Sequence, residues 1–132
     1  MPFPLEANTS NSGRVSQLLV AEKVCNLDLL SNITRGNETR LHNLVLIFFT
    51  EIKQELSELD NAIEKTNYTV ISNIAHKIKS SFALLGVVVL EPVIKEMEQL
   101  SNNTSLIERI KQLSQKVNTV FNMARLELQI AN

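Results

Sequence analysis

The sequence is poor in cysteine, in clustered positive charge and in long apolar runs. Cys25 is the only cysteine among 132 residues, so no intrachain disulfide can form, and a reducing compartment is the simpler expectation. Lysine and arginine total 13 and acidic residues total 14, for a net charge of −1, and no basic patch favours nucleic acid. No apolar run approaches the roughly 20 residues of a membrane span, and no basic-then-apolar signal opens the sequence. We therefore expect a cytoplasmic protein that binds neither nucleic acid nor membrane.

The sequence also lacks the usual motifs for binding nucleotides, metals or cofactors. It contains three glycines, with no glycine-rich phosphate loop, no Walker pattern and no cluster of acids that would hold magnesium. The two histidines, His42 and His76, lie far apart, and no third ligand follows either at helical spacing. We expect no metal or cofactor to reside in this chain.

The length predicts one domain preceded by a short linker. The first residues are rich in Pro, Asn, Ser and Thr and have no periodicity, so we assign 1–13 to the linker and 14–132 to the domain. A short helix with one apolar side is predicted over 14–24. A second is predicted over 27–33, with Asn26 as its N-cap.

Four long helices are predicted next, from apolar residues at three- and four-residue steps. The first begins near Asn37, a good N-cap. Its buried stripe comprises Leu41, Val45, Phe48, Ile52, Leu56, Leu59 and Ile63. The second begins at Asn67 and ends near Leu85, because Gly86 can take the left-handed conformation that follows many helices.

The third and fourth long helices complete a bundle. The third must begin near 88–91, since Pro92 is tolerated only in a first turn. Its inward residues are Val89, Val93, Met97 and Leu100. The fourth opens at 104 or 105, where Ser105 and Glu108 form a capping box. Its stripe comprises Leu106, Ile110, Leu113, Val117, Val120, Phe121, Ala124 and Leu128. We predict an all-α, antiparallel, up-down-up-down four-helix bundle with one or two short N-terminal helices.

The first long helix has more apolar residues than one stripe can bury. Leu44, Ile47 and Glu51 line up along its flank. Either the short N-terminal helices cover this flank or it forms a docking surface, and the two interpretations are compatible.

His76 is predicted to face water on the second long helix. At about 100° per residue, the apolar stripe occupies one face and His76 points away from it. The stripe comprises Ile71, Ile74, Ile78, Phe82 and Leu85. Apart from Lys79, the neighbours of His76 along its own face are short or polar. An exposed imidazole among short side chains, with a cation beside it, suits a group that another macromolecule must reach.

The run 75–86 resembles the histidine-containing phosphotransfer (HPt) domain family. The family pattern is Ala-His-x-Leu-Lys-Gly, with a further glycine ten residues after the histidine. The matching residues here are Ala75, His76, Ile78, Lys79 and Gly86. One position departs, because Ser80 stands where the family usually has glycine; serine is still small, but it adds a hydroxyl beside the imidazole. The resemblance covers roughly 26–128.

The resemblance implies a phosphorelay carrier. His76 would accept a phosphoryl group from the aspartate of a response-regulator receiver domain and pass it to another receiver. Lys79 would neutralise charge on the phosphoryl oxygens, with Lys77 as a weaker and more distant cation. The receiver would supply the aspartate, the magnesium and a lysine, so the chain would be a carrier without autonomous catalysis.

The expected docking face surrounds His76. It comprises Ser72, Asn73, Lys77, Ser80 and Ala83 from the same helix, with Ile47 and Glu51 from the first long helix. Pairing through the turn at 65–66 places His76 level with Glu55, and the third and fourth long helices are expected to lie far from His76. We expect the isolated domain to be monomeric. The linker-like start suggests the C-terminal module of a hybrid sensor kinase, and a free-standing shuttle is the alternative.

Two other functions are weighed against the carrier. The dimerisation domain of a histidine kinase also presents a histidine on a helical bundle, but its motif has an acid directly after the histidine. Here that residue is Lys77, and no ATP-binding domain follows. The third possibility is a helical adaptor without phosphotransfer, for which Ser80 is the sole hint.

Overall fold

The computed structural model describes residues 23–101 and 106–130, and these residues form helices without strands. The helices are α1 (Asp28–Ile33), α2 (Glu38–Glu64), α3 (Tyr68–Leu84), α4 (Glu91–Leu100) and α5 (Ile107–Glu127), with a 3₁₀ turn (Val88–Leu90) between α3 and α4. The prediction of an all-α helical bundle is confirmed. The predicted linker and nearly all of the first predicted short helix lie outside the described residues. Within the described ranges, no helix combines the length and apolar character needed to cross a membrane.

The four long helices close into a ring around one core. Each packs against the next along the chain, and α5 returns to pack against α2. Phe121 of α5 packs against two aromatic rings of this core, with its ring centroid 5.4 Å from that of Phe49 and 6.3 Å from that of Phe82. Phe82 meets Phe121 edge-on at 77°, a favourable geometry for two aromatic rings. These contacts join α2, α3 and α5 and leave the outer faces of the helices free to carry function.

The predicted N-caps of α2 and α3 are confirmed. The Asn37 side chain accepts a hydrogen bond from the Arg40 N–H at the start of α2, and the Asn67 side chain accepts one from the Val70 N–H at the start of α3. The predicted start of the last helix at 104 or 105 is wrong, because α5 begins at Ile107. The residue before it has φ −117° and ψ 31°, outside the helical region, so a helix cannot continue through it. The serine of the predicted capping box lies outside the described residues.

Two residues of the predicted stripes are wrong by one position. Phe49 is buried on α2 and Phe48 is half-buried, because Phe49 is the residue that meets the ring of Phe121. At the start of the third long helix Leu90 is fully buried, whereas Val89 is 48% exposed. The 3₁₀ turn has three residues per turn, so it shifts the phase of the buried positions relative to a continuous α-helix.

The N-terminal segment crosses the end of α3 at Gly86. Gly86 has φ +72°, and a side chain there would place its Cβ against the Asn26 carbonyl oxygen, closer than real Cβ atoms approach. The Asn26 N–H donates to the Leu85 carbonyl, and the Asn26 side chain accepts from the Asp28 N–H at the start of α1. α1 begins at Asp28, one residue later than predicted, and the prediction of Asn26 as its N-cap is wrong because Leu27 occupies that position. Glycine is required here for its left-handed conformation and for the close approach of another chain segment.

The only cysteine lies within this crossing segment. The carboxylate of Glu127 accepts the N–H groups of Val24 and Cys25, at 2.7 and 3.1 Å, and so joins the segment to the end of α5. Burial, together with the negative charge of Glu127, raises the pKa of the Cys25 thiol to about 12. The thiol therefore stays protonated at neutral pH and packs against the core as a small apolar group.

Candidate functional site

α3 presents His76 on its outer face. The helix buries Ile71, Ile74, Ile78 and Phe82 on the opposite side, which leaves the His76 side chain 67% exposed. The exposure predicted from the helical period is confirmed. Gly86 ends the helix with the paired hydrogen bonds of a Schellman motif, because the N–H groups of Gly86 and Val87 donate to the carbonyls of Ala83 and Phe82. The helix that carries His76 is thus fixed at both ends.

A carboxylate on the neighbouring helix holds His76 and Lys79 together. Glu98 of α4 lies with one oxygen 3.1 Å from Nδ1 of His76 and the other 2.8 Å from Nζ of Lys79. The hydrogen bond from Lys79, and then that from His76, lower the pKa of Glu98 below its ordinary value. The Glu98 side chain is therefore ionised at neutral pH and can only accept hydrogen bonds.

The bond to Glu98 decides which ring nitrogen of His76 can react. Because the carboxylate is an acceptor, Nδ1 of His76 must be the donor and must carry the hydrogen. In the neutral ring, Nε2 then keeps the lone pair. The arrangement therefore offers Nε2 of an exposed imidazole as a nucleophile, with a cation and an anion beside it.

Glu98 was missed by the sequence reasoning, although a signal for it exists. His76 lies eleven residues before Val87 and Glu98 lies eleven residues after it. Antiparallel pairing of α3 and α4 about that turn therefore places His76 and Glu98 at the same level along the two helices. Pairing through the turn at 65–66 does the same for His76 and Glu55 of α2. The expectation that the third long helix lies far from His76 is wrong, because α4 packs closely on α3 and supplies Glu98.

The other predicted site residues of α3 lie within two turns of His76 on the same helix. Asn73, Lys77, Ser80 and Ala83 are exposed, and Ser72 is half-buried. Short side chains thus occupy the surface one to two turns from His76 along its own face. Access to the imidazole is open on this side.

Lys77 and the two predicted residues of α2 lie on the other flank of α3. Burial raises the pKa of Glu55 on α2, and the positive charge of Lys77 partly opposes that rise. This interaction agrees with the prediction that Glu55 of α2 lies level with the part of α3 that carries His76. Ile47 is 52% exposed and Glu51 is exposed, but neither is hydrogen-bonded to His76. The structure thus joins His76 directly to Lys79 and Glu98, and leaves Ile47 and Glu51 on the α2 side.

The described residues hold no group of three or more histidine, cysteine or acidic side chains that could bind a metal ion. His42, the other histidine, is exposed on α2.

Comparison with known proteins gives one family. The model of the Hpt domain matches residues 43–130, which are 88 of the 132 residues and include α3, α4 and the three residues of the His76 site. No curated protein and no solved structure shows significant similarity to the chain.

Proposed function

Since the chain belongs to the Hpt domain family, whose members take part in histidine phosphotransfer in phosphorelays, we propose that His76 is the residue that carries the phosphoryl group. The donor is the phosphorylated aspartate of a receiver domain, and the acceptor is an aspartate of another receiver. The observation that carries this proposal is the exposed imidazole whose Nδ1 is bonded to Glu98, so that Nε2 is free to react.

The transfer exchanges one bond to phosphorus for another. The lone pair of His76 Nε2 attacks the phosphorus in line with the acyl oxygen, an N–P bond forms, and the P–O bond to the aspartate breaks. The electron pair of that bond returns to the aspartate carboxylate. The Nδ1 hydrogen remains on the ring, which becomes positively charged while bonded to the Glu98 carboxylate. The reverse sequence of events delivers the group to an acceptor aspartate.

Glu98 and Lys79 have different roles in this step. Glu98 is a positioning residue, because it fixes the ring, selects the tautomer and stabilises the positive charge that forms on it. Lys79 can turn from Glu98 toward an oxygen of the phosphoryl group, since its side chain is 31% exposed. It would then neutralise part of the charge that the transfer brings to the site.

The rest of the catalytic equipment belongs to the partner in this proposal. The receiver contributes the aspartate, magnesium and a lysine, and this domain contributes the acceptor histidine without a cofactor of its own. The receiver covers the face around His76 formed by Ile47, Glu51, Ser72, Asn73, Lys77, Ser80 and Ala83. Ser80, in place of the usual glycine, is short enough to leave His76 accessible, and it adds a hydroxyl that can donate to a phosphoryl oxygen. We further propose that the domain acts as a monomer in the cytoplasm, as a module of a hybrid sensor kinase.

His76→Gln tests the proposal, and His42→Gln is its matched control. Each variant removes one exposed histidine, so each should change the free energy of unfolding by no more than about 0.5 kcal/mol. With a receiver phosphorylated on its aspartate, we expect His42→Gln to acquire an acid-labile, base-stable phosphate at the wild-type rate. His76→Gln should acquire none.

The same assay separates the three candidate functions. Transfer from the receiver indicates a carrier, labelling by ATP without a receiver indicates a kinase domain, and the absence of both indicates an adaptor. Undiminished labelling of His76→Gln would exclude His76 as the phosphorylated residue.

A further inference from the structure

A small apolar pocket lies beside the phosphotransfer site. It has a volume of about 80 Å³ and lies between the second half of α3, the 3₁₀ turn and the start of α4. Ala83, Val88 and Ile94 contribute apolar surface to it, and Lys79 and Glu91 also line it. The pocket is large enough for one aliphatic side chain and small enough to exclude a folded segment.

Val88, which lines the pocket, is exposed far more than its apolar side chain favours. Among the described residues it is the most exposed large hydrophobic residue, at 72%, and Val89 beside it is 48% exposed. The turn that carries them is held in place, because the Val87 N–H donates to the Phe82 carbonyl and the Leu90 N–H donates to the Val87 carbonyl. The two valines are therefore presented to solvent on a rigid support, as expected for a preorganised contact surface.

The pocket is continuous with the His76 site. Lys79 lines the pocket and is bonded to Glu98, which is bonded to His76. Ala83 lies seven residues after His76 on the same helix, which corresponds to about 10 Å along the helix axis. A typical interface buries about 800 Å² on each partner, equivalent to a disc of radius roughly 16 Å. A partner of typical interface size centred on His76 would therefore reach the pocket as well.

We propose that this pocket, with Val88 beside it, is an anchoring subsite for the receiver domain and accepts one aliphatic side chain from it. The inference rests on the proposed function and adds to it a second apolar contact, on the α4 side of His76. A receiver is favoured over a second copy of this chain, because a copy seated in the pocket would cover the His76 site and block transfer. Burial of an aliphatic side chain beside a phosphoryl site lined by short, polar side chains supplies binding energy without altering the reacting groups.

Val88→Asp tests the inference, with Leu126→Asp as the matched control. Leu126 is 66% exposed on α5, so both variants place the same charge at an exposed apolar position, and both should remain folded. The measurement is the rate of phosphoryl acceptance from a receiver that phosphorylates the wild type, chosen by screening receivers encoded in the same genome. We expect Val88→Asp to need about tenfold more receiver for half-maximal rate, with the saturating rate within twofold of wild type. Val88→Thr, which keeps the shape and replaces one methyl by hydroxyl, should give a smaller increase in the same direction.

Each other outcome overturns the inference. A Val88→Asp titration equal to that of the wild type, or a Leu126→Asp titration weakened to the same extent, removes the subsite while leaving the proposed function intact. A wild-type dimer in sedimentation that becomes a monomer in Val88→Asp reassigns the pocket to self-association. If no receiver phosphorylates the wild type, the proposed function fails and the subsite fails with it. Labelling of His76 by phosphoramidate, which needs no docking, shows whether the histidine remains reactive in each variant.

Discussion

Glu98→Gln should slow phosphoryl acceptance by His76 while leaving the bundle folded. Glutamine has the shape of glutamate, but it removes the negative charge that lies 3.1 Å from Nδ1 of His76 and 2.8 Å from Nζ of Lys79. The imidazole gains a positive charge during the transfer, and in the variant that charge has no anion beside it. The loss is therefore expected in the rate of the chemical step.

The size of the effect follows from the exposure of the two partners. Two unit charges about 4 Å apart attract by roughly 1 kcal/mol in water and by roughly 4 kcal/mol at an effective dielectric constant near 20. His76 is 67% exposed and Glu98 is 25% exposed, so the interaction belongs near the lower limit. A loss of about 1–2 kcal/mol from the transition state corresponds to a rate roughly 5- to 30-fold lower. The cost in folding stability should stay below about 1 kcal/mol, as for other partly exposed ion pairs.

Glu96→Gln is the matched control. Glu96 lies on the same helix and makes a two-point ion pair with Arg109, at 2.8 and 3.0 Å, but it does not contact His76. Both variants should lose similar stability in urea unfolding, and Glu98→Gln alone should lose transfer rate under saturating receiver. The ring nitrogen signals of His76 at pH 8 should show hydrogen on Nδ1 in the wild type and a larger share on Nε2 in Glu98→Gln. Equal rates for the two variants, or unchanged ring nitrogen signals, would refute the role of Glu98.

The remaining predictions concern the segment that crosses α3. Gly86→Ala should reduce the free energy of unfolding by at least about 1 kcal/mol more than Gly36→Ala in urea denaturation. Both glycines have φ above +70°, so both substitutions carry the same left-handed strain. Only at Gly86 does the new Cβ meet the Asn26 backbone and endanger the hydrogen bond from the Asn26 N–H to the Leu85 carbonyl. Equal losses of unfolding free energy in the two variants would contradict this. In the folded protein, Cys25 should react with iodoacetamide at pH 8 about a thousandfold more slowly than in the urea-unfolded chain. The reason is that the rise of its pKa from 9.0 to about 12 removes most of the thiolate. Rapid alkylation of the folded protein would contradict the burial of the thiol.

The perturbed pKa values of Glu98 and Cys25 also predict the direction of pH effects. The pKa of Glu98 is lower in the folded protein than its ordinary 4.5, so the stability that its ion pair supplies is complete above about pH 4.5 and is lost as the pH falls through the lowered value. The pKa of Cys25 is raised, so its contribution is complete below pH 9.0 and is lost as the pH rises toward 12.

Local chemistry was enough to predict the helices and the face that carries His76. Asn37 and Asn67 cap their helices through their own side chains, and Gly86 ends α3 because it can adopt a positive φ. These interactions join residues only a few positions apart, so the local sequence is enough to predict them. The helical period likewise assigned His76 to water, because its direction depends only on its angle from the buried stripe.

Tertiary packing decided what the sequence pattern left open. Phe48 and Phe49 are equally compatible with the period of α2, and the position of the Phe121 ring determines which of them is buried. Glu98 has no local feature that distinguishes it from the other exposed acids of α4, and its role arises because α4 lies against α3 at the level of His76. A helix face is a property of about four neighbouring residues, whereas a contact across 22 residues depends on the angle and register at which two helices pack. The sequence by itself therefore determined the position and exposure of the histidine, and only the folded bundle determined which of its nitrogens is free to react.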